Sequence, residues 1–362
     1  MLRPKTNFAH LLDLNPSSGM MAALYLRSST LMRRGLILIN LGTPKSADIP
    51  AVRSYLRVFL TDKRVIDLPA LLRYILVYIF ILPFRAKRST RAYQAIWTEH
   101  GSPLLYHSQH LVDQVQKSMG PEYQVVLGMR YGEPSIESAL NSLKKCASIT
   151  ILPLYPQYSS AASGSSIEEA LRIISSWDII PSVTVIRDFF QHPAYIKAQV
   201  SLVQEHRKTQ EHVLFSYHGV PERQIAKNEC KHICLEDCPT LTDKTQGCYK
   251  AQCHESSRLL AKELQLSEHQ YSTAFQSRLG RTPWIKPYTD ETLTKLAANG
   301  IKTLIIVCPS FVADCLETLE EIGIRARQQW LSLGGEELIV VPCLNENPLW
   351  VKAIIEIAPH KS

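Results

Sequence analysis

Gly35-Leu-Ile-Leu-Ile-Asn-Leu-Gly-Thr-Pro44 is the stretch that decides the fold. Its continuous apolar run is typical of a strand that is buried on both faces, and Gly42 to Pro44 end it with turn residues. Seven more short apolar runs follow it. The predicted strands are Leu36–Leu41, Gln124–Leu127, Ser148–Leu152, Val183–Ile186, His212–Ser216, Tyr271–Phe275, Thr303–Val307 and Leu338–Val341.

Helical patterns separate most of these strands. They include Ser135–Lys145, Ser166–Ser176, Ala194–Lys208, His254–Leu264 and Asp290–Asn299. Strands that alternate with helices predict an α/β protein whose parallel sheets are covered on both faces. Eight strands favour two doubly wound, Rossmann-like parallel-sheet domains with a cleft between them. A β/α barrel is the competing topology, and the uneven helix spacing disfavours it.

The predicted organisation is a first domain over residues 34–190, a second over 191–340 and a C-terminal helix over 341–362. Residues 1–33 form a basic, acid-poor extension that weakly resembles a transit peptide and lacks the long apolar run of a secretory signal. We expect this extension to be disordered or untranslated, with the true start at Met32 or nearby.

Composition limits the function classes. Hydrophobic residues make up 45% and charged residues 20% of the 362 residues, which is ordinary for a globular protein. Of the net charge of +7, the segment from residue 34 onward carries about +4, too little to indicate a nucleic-acid partner. Nine cysteines are present, and five fall between Cys230 and Cys253, which favours a local site in a reducing compartment over a disulfide framework.

Polar and aromatic residues follow the ends of the predicted strands in both halves. In open parallel sheets, ligands bind outside the carboxyl ends of the strands. Two facing rims of this kind predict a cleft that suits a large flat ligand. The residues concerned include Arg130, Tyr131, Tyr155, Gln157, Tyr158, Ser159, Tyr217, His218, Gln276, Ser277, Arg278, Ser310 and Phe311.

The stretch 68–83 is strongly apolar, and basic residues flank it on both sides. Its uninterrupted apolar part is about nine residues, far short of the ~20 that a spanning helix needs. Such a run is typical of a helix that lies in the membrane interface, and a buried core helix is the alternative. We expect residues 68–91 to form a membrane-facing lip, with the protein in the cytoplasm and peripherally attached to the inner membrane.

His218 is the leading candidate for chemistry. It ends a predicted strand, Gly219 and Pro221 follow it in a tight loop, and its neighbours are apolar. A loop of this kind fixes the imidazole at the rim, and burial favours the neutral ring, which can accept a proton or bind a metal ion. A lone histidine is more often structural than catalytic, so the case for His218 rests on its position at the end of a strand.

Three acidic residues follow the seventh strand. Asp314, Glu317 and Glu321 stand at positions i, i+3 and i+7, which predicts that they share one face of a helix. Like charges crowded on one face favour raised carboxyl pKa values. The alternative is a solvated face near a helix N-terminus, where acidic residues are favoured anyway.

Taken in order, these motifs resemble those of the ferrochelatases. The resemblance runs from about Met32 to Ala358, and any one motif alone is weak. The motifs are Gly35–Pro44, Leu154-Tyr-Pro-Gln-Tyr-Ser159, Ser163-Gly-Ser-Ser166, Tyr217-His-Gly-Val-Pro221, Phe275-Gln-Ser-Arg278, Thr282-Pro-Trp284, Tyr288-Thr-Asp-Glu291 and Asp314-Cys-Leu-Glu-Thr-Leu319.

The resemblance implies a lyase that inserts Fe²⁺ into a porphyrin, most simply protoporphyrin IX, to make haem. It implies that His218 and Glu317 are catalytic residues at the site of iron insertion, and whether His218 acts as base or iron ligand stays open. As a hypothesis, Glu317 with Asp314 and Glu321 conducts the two pyrrole protons away. The implied porphyrin-binding residues are Arg130, Tyr131, Tyr158, Ser159 and Trp284. Some family members have histidine at the position of Cys315, so a metal-relay role for that position is in doubt here.

The cysteine-rich insert, residues 228–254, follows the His218 loop. It lacks a Cys-x₂-Cys pair, which argues mildly against structural zinc. Its thiols suit an iron–sulfur cluster, which needs four ligands, and some bacterial ferrochelatases carry a [2Fe–2S] cluster in such a segment. Similarity to them favours Cys234, Cys238, Cys248 and Cys253 as ligands, with Cys230 spare. Zinc and no metal at all are the alternatives, and His232 and His254 are adjacent alternative ligands.

Two rival functions remain at this point. One is a chelatase that loads cobalt or nickel into another tetrapyrrole, which the apolar stretch disfavours because earlier tetrapyrroles carry many carboxylates. The other is a non-enzymatic iron–sulfur sensor or haem-binding module, which would not need both His218 and Glu317. The sequence distinguishes neither protoporphyrin from coproporphyrin nor one oligomeric state from another.

Overall fold

The computed structural model describes residues 33–358, except 209–210, 228–229, 231–232, 235–236, 279 and 281. The chain from Arg33 onward clusters as one compact unit. The predicted N-terminal extension lies outside the described residues apart from Arg33 itself, so it stays a prediction.

Two four-stranded parallel sheets form the framework. The first has the order β2-β1-β3-β4 and the second the equivalent order β6-β5-β7-β8. Every strand lies within two residues of its predicted bounds, so the two doubly wound sheets are confirmed and the barrel alternative is wrong. The strands are β1 (Arg34–Asn40), β2 (Tyr123–Met129), β3 (Ser148–Pro153), β4 (Ser182–Val185), β5 (His212–His218), β6 (Tyr271–Gln276), β7 (Thr303–Val307) and β8 (Glu337–Val340).

Helices cover these sheets, and local signals fix several of their ends. Asp48 caps the first helix by accepting a hydrogen bond from the Ala51 N–H at 2.9 Å. The α-helices are α1 (Ile49–Thr61), α2 (Ala70–Ile75), α3 (Leu82–Ile96), α4 (Pro103–Met119), α5 (Ile136–Ser142), α6 (Ser165–Ile174), α7 (Pro193–His206), α8 (Glu222–Ala226), α9 (Tyr249–Glu263), α10 (Thr289–Ala298), α11 (Arg327–Ser332) and α12 (Pro348–Ile357). Three π-helical segments are Leu76–Ile81, Ser160–Gly164 and Glu317–Ala326.

One apolar core connects the two halves. It contains Leu36 of β1, Phe215 of β5 and Trp350 of α12. Within the predicted C-terminal segment, α12 packs against α4 of the first half and α7 of the second. The shared core holds the carboxyl ends of both sheets in a fixed relation, while the exact domain boundaries remain a prediction.

The apolar stretch lies on the surface. The segment from α2 through the π-helical turn to α3 exposes the side chains that we call the apolar lip: Leu71, Leu72, Tyr74, Ile75, Tyr78, Ile79, Phe80 and Phe84. Within residues 70–81 only Val77 is buried. The buried-helix alternative is therefore wrong. No helix among the described residues is long and apolar enough to cross a bilayer.

Candidate active site

His218 is held in place at the end of β5. Its backbone N–H donates to Ser310 Oγ at 3.0 Å, and its carbonyl accepts from the Tyr249 hydroxyl at 2.7 Å. The ring Nδ1 lies 2.6 Å from the Gly219 carbonyl oxygen. Because a carbonyl only accepts, Nδ1 carries a hydrogen, and in the neutral ring Nε2 keeps its lone pair.

The imidazole is half-buried between two aromatic rings. Trp284 and Phe311 have ring centroids 6.5 Å and 6.1 Å from that of His218. A Cβ atom on Gly219 would lie 2.9 Å from the Gln276 carbonyl oxygen and 3.3 Å from the Trp284 ring, so this close approach requires glycine. The loop thus presents one fixed imidazole beside an indole.

Gln276, at the end of β6, joins His218 to the acidic helix. Its carbonyl accepts from the Gly219 N–H at 2.8 Å, and its side-chain amide donates to the Glu317 carbonyl at 3.1 Å. The side chain is buried, and its oxygen accepts from the Ser216 hydroxyl at 2.6 Å. One side chain therefore positions both the His218 loop and the helix that begins at Glu317. The sequence marked Gln276 only as a strand-end residue and gave no signal for this role.

Glu317 opens the π-helical segment and faces helices of the first half. Burial raises the pKa of both Tyr55 and Tyr93, and the nearby Glu317 carboxylate raises them further. Burial lowers the pKa of Arg85, and Glu317 opposes that change. Arg85 Nη1 is buried without a hydrogen-bond partner among the described residues. The Glu317 carboxylate thus lies among two phenols and a guanidinium that sequence reasoning missed, because α1 and α3 supply them from far along the chain.

Cys315 occupies the position where some family members have histidine. The thiol is buried, and burial, followed by the charge of Glu317, raises the pKa of Cys315 well above its usual value. A protonated thiol is a weak metal ligand, since metals bind the thiolate. This agrees with the doubt about a metal-relay role at this position.

The predicted common face of the three acids is wrong for Asp314. The π-helical segment begins at Glu317, and Asp314 precedes it. Asp314 is buried, and its carboxylate accepts from the Thr318 hydroxyl at 3.0 Å, the Cys343 N–H at 3.2 Å and the Asn345 side chain at 2.8 Å. These bonds, which tie the helix start to the loop after β8, occupy the carboxylate and orient it away from the face that the spacing predicted.

Glu321 lies on the helix as expected, one π-turn after Glu317. Its carboxylate accepts from the backbone N–H of Ser277 at 2.9 Å and from the Ser277 hydroxyl. Ser277 has a φ of +68°, so the carboxylate stabilises an unusual backbone conformation. Glu321 also lines a cavity of about 220 Å³ with Gln276, Arg278, Asp290 and Arg325, and His218 and Glu317 do not line it.

Arg130 and Tyr131 meet at the buried carboxylate of Asp62. Arg130 donates to Asp62 at 2.7 Å and to Ser165 at 2.7 Å, and the Tyr131 hydroxyl donates to Asp62 at 2.8 Å. Burial opposes ionisation of Asp62, but the Ser165, Arg64 and Tyr131 hydrogen bonds and the Arg130 charge hold its pKa below the ordinary value. The Tyr131 ring is 1% exposed, so it supports Arg130 and offers no face to a ligand.

Tyr158 and Ser159 lie together on the loop after β3. The Tyr158 N–H donates to Gln252 Oε1 of α9 at 2.6 Å, and its half-buried ring faces the Arg187 guanidinium at 5.5 Å. Ser159 is buried and accepts from the Ala162 N–H at 3.2 Å, which caps the following π-helical turn. Of the five predicted porphyrin-binding residues, only Trp284 is shown in contact with His218.

The thiols of the cysteine segment influence one another. Besides burial, Cys234 contributes to the raised pKa of Cys238, Cys230 to that of Cys248, and Cys238 and Cys248 to that of Cys253. Burial is the main cause that raises the pKa of Cys238, Cys248 and Cys253. All nine cysteines of the chain are free. Cys230 is therefore a neighbour of the predicted ligands, and not a remote spare.

A buried cation accompanies these thiols. The Lys250 ammonium is 1% exposed and donates to the Cys234 carbonyl at 2.5 Å. Among the residues that the structure describes, no three His, Cys, Asp or Glu side chains are arranged as ligands of one metal ion. The donor chemistry, several neighbouring thiols beside an ammonium, fits an anionic thiolate-bound group. His254 instead lies 3.4 Å from Asp237, and His232 lies outside the described residues.

Comparison with known proteins decides the family. The family model described as ferrochelatase matches residues 33–362. The ferrochelatase of Legionella pneumophila strain Paris is 63% identical over 326 residues, which cover 90% of this chain and 98% of that protein. The chain belongs to the ferrochelatase family. The ferrochelatase of Coxiella burnetii strain RSA 493 is 50% identical over 331 residues, which cover 90% of this chain and 92% of that protein.

A solved structure supports the fold of this ferrochelatase family member. The sirohydrochlorin chelatase SirB of Bacillus subtilis subspecies spizizenii, in complex with cobalt, has a TM-score of 0.50 at 10% identity, covering 90% of this chain and 94% of that chain. At this identity the likeness concerns the fold alone, and it confirms the predicted chelatase-like architecture. Membership of the ferrochelatase family also favours an enzyme over the rival function of a non-enzymatic sensor.

Proposed function

We infer that His218 and Glu317 are the residues with which this member of the ferrochelatase family inserts Fe²⁺ into a porphyrin to make haem. The observation that carries this inference is the fixed imidazole, whose Nδ1–H is bonded to Gly219 and whose Nε2 lone pair is left for chemistry. In this lyase reaction the porphyrin loses two pyrrole protons as the iron enters. His218 accepts a proton at Nε2, or binds the incoming iron through the same lone pair.

We assign Glu317 the removal of protons from the porphyrin ring. Its carboxylate accepts a proton, and Arg85, Tyr55 and Tyr93 set the electrostatics around it. Glu321 follows on the same helix and opens onto the charged cavity, so we assign it the next step of proton exit. Asp314 supports this path by fixing the start of the helix, because three hydrogen bonds already occupy its carboxylate.

Variants at both positions test the assignment. His218→Ala and Glu317→Gln should each lower kcat for iron insertion about 100-fold or more, the usual contribution of a positioned acid–base group. Glu320→Gln on the same helix and His206→Ala at the end of α7 are matched controls and should keep near-normal rates. Unchanged chelation kinetics in His218→Ala would refute the role of the imidazole.

The substrate that the surface favours is protoporphyrin IX. The apolar lip exposes large side chains, including Leu71 and Phe84 at 72% and 78%, and it suits a lipophilic macrocycle better than the four-carboxylate coproporphyrin. Trp284 beside His218, with Arg130, Tyr158 and Ser159 of the first half, would contact the ring and its carboxylates. Parallel assays of the two porphyrins with Fe²⁺ test the choice, and a higher kcat/KM for coproporphyrin would reverse it.

The same lip attaches the protein peripherally to the cytoplasmic face of the inner membrane. Lys87, Arg88 and Arg91 are exposed on α3 next to the apolar side chains. An apolar surface bordered by basic residues binds anionic lipid surfaces through both burial and charge. The lip would thereby collect a lipophilic substrate from the bilayer.

The cysteine segment holds a [2Fe–2S] cluster in this proposal. Cys234, Cys238, Cys248 and Cys253 would be its ligands, and Cys230, which contributes to the raised pKa of Cys248, is a competing ligand. Iron and sulfide analysis of the purified chain, with visible absorption, tests the cluster. Single Ser variants at Cys230 and Cys253 identify the fourth ligand, because only the true ligand variant should alter the spectrum. Purified protein that contains zinc without sulfide, or no metal, would refute the cluster.

A further inference from the structure

Two salt bridges join the halves of the molecule beside the apolar lip. Asp67 of the first half accepts from Arg223 Nε at 2.6 Å on Oδ1 and from Lys227 Nζ at 2.7 Å on Oδ2. Arg223 belongs to α8 of the second half, and Lys227 follows that helix directly. The Asp67 side chain is only 13% exposed, so the carboxylate is the buried member of both pairs. We call these two salt bridges the Asp67 clasp.

On the first half, the clasp is bonded to the start of the lip. Asp67 stands three residues before α2, which carries the first exposed side chains of the lip. The carbonyls of Leu68 and Pro69 accept from the side chain and the backbone N–H of Arg73 in α2, each at 2.9 Å. A displacement of Asp67 would therefore carry α2 with it.

On the second half, the clasp is bonded to the His218 loop. Pro221, at the end of this loop, forms an antiparallel bridge with Trp284, and the Glu222 N–H donates to the carbonyl that precedes Trp284 at 3.0 Å. Arg223 is the next residue along the chain. It therefore stands on the backbone that pairs with the segment of Trp284, the indole beside the His218 ring.

We propose that Asp67 is a positioning residue that holds the apolar lip against the His218 loop and so sets the width of the slot that takes the porphyrin. The proposal rests on the function assigned to His218 above. Without the clasp the lip is free to move away from α8, and the substrate must bring it back in order to bind. The apparent affinity then falls with the fraction of molecules whose lip is in place. The chemical step is spared, because Gln276 holds the His218 loop and the Glu317 backbone within the second half.

The test removes the charge of the clasp and keeps the size of the side chain. Asp67→Asn should raise KM for protoporphyrin about five-fold, the value of two partly exposed ion pairs, with kcat unchanged. Arg223→Gln with Lys227→Gln removes the same pairs from the exposed side and should raise KM equally. Adding Asp67→Asn to that protein should change KM no further, because all three substitutions act through one contact. Glu337→Gln is the matched control, since it removes a salt bridge with Lys208 at the start of β8 and should keep the wild-type KM.

Hydrogen exchange decides the proposal independently of activity. Mass spectrometry of the full-length chain follows the backbone amides of residues 68–75 and 219–227, which should exchange faster in Asp67→Asn, while those of β7 should not change. If wild type does not metallate porphyrin, the assigned function fails, and these exchange rates still test the clasp. Unchanged exchange in both segments, or faster exchange with an unchanged KM, overturns the proposal. Should Asp67→Asn not fold, Arg223→Gln with Lys227→Gln replaces it under the same two criteria.

Discussion

Removing two side chains of the apolar lip should detach the protein from lipid. Leu71 and Phe84 are 72% and 78% exposed, so about three quarters of each side chain remains to be buried on docking. Full burial of a leucine or phenylalanine contributes about 1.5–3 kcal/mol. In a shallow interfacial position, burying three quarters of a side chain contributes about three quarters of the lower value, or about 1 kcal/mol each. Leu71→Ser with Phe84→Ser should therefore weaken binding by about 2 kcal/mol, or about 30-fold.

Co-sedimentation with vesicles that contain anionic phospholipid measures this partition. Ile179→Ser with Ile180→Ser is the matched control, because these side chains are 84% and 58% exposed but lie in the loop before β4. The control should bind as wild type does. Added salt should weaken wild-type binding, since the basic side chains of α3 contribute through charge. Equal partition of the lip variant and wild type would refute docking through this surface.

Three further outcomes follow from the structure. Asp62→Asn leaves the Arg130 guanidinium without its anion and should cost about 3 kcal/mol of unfolding free energy at pH 7. Because the folded-state pKa of Asp62 is lowered, its stabilisation is present above the ordinary pKa and is lost as the pH falls through the folded value. The free energy of unfolding in urea should therefore fall more steeply below about pH 4 for wild type than for the variant. Lys250→Met removes a buried positive charge beside the thiols and should lower the midpoint potential of the proposed cluster in a redox titration, with an unchanged potential contradicting the placement. Gly219→Ala places a methyl 2.9 Å from the Gln276 oxygen and should lower both the thermal midpoint and kcat, whereas a variant with normal values would show that the loop can shift.

The strands could be predicted because their signal is local. A buried parallel strand reads as a short apolar run, and each of the eight runs became a strand. The position of His218 follows from the same pattern, since a residue at the end of such a strand lies at the rim. The helix that carries the acidic residues was harder to predict. Its i, i+3, i+7 spacing assumed an α-helix that includes Asp314, whereas the structure begins a π-helix at Glu317 and uses Asp314 to anchor it.

Contacts between distant segments could not be predicted. Nothing in the sequence near Glu317 indicates that Arg85 and Tyr93 of α3 lie beside it, because the packing of the two halves brings them there. The same holds for the cysteines. Similarity to the cluster-bearing bacterial enzymes made Cys230 the spare, but in the structure Cys230 is near enough to Cys248 to contribute to the raised pKa of that thiol.

The position of Gln276 links the two residues to which we assign the chemistry. β5 and β6 are adjacent parallel strands, and their register pairs His218 with Gln276. The Gln276 backbone holds the loop after β5, and its side chain reaches the first turn of the helix after β7. Gln276 therefore ties both the His218 loop and the Glu317 backbone to the second sheet, whereas Arg85, which lies near Glu317, comes from the first half. A change in the packing of the two halves would alter the charges around Glu317 and leave the imidazole in place.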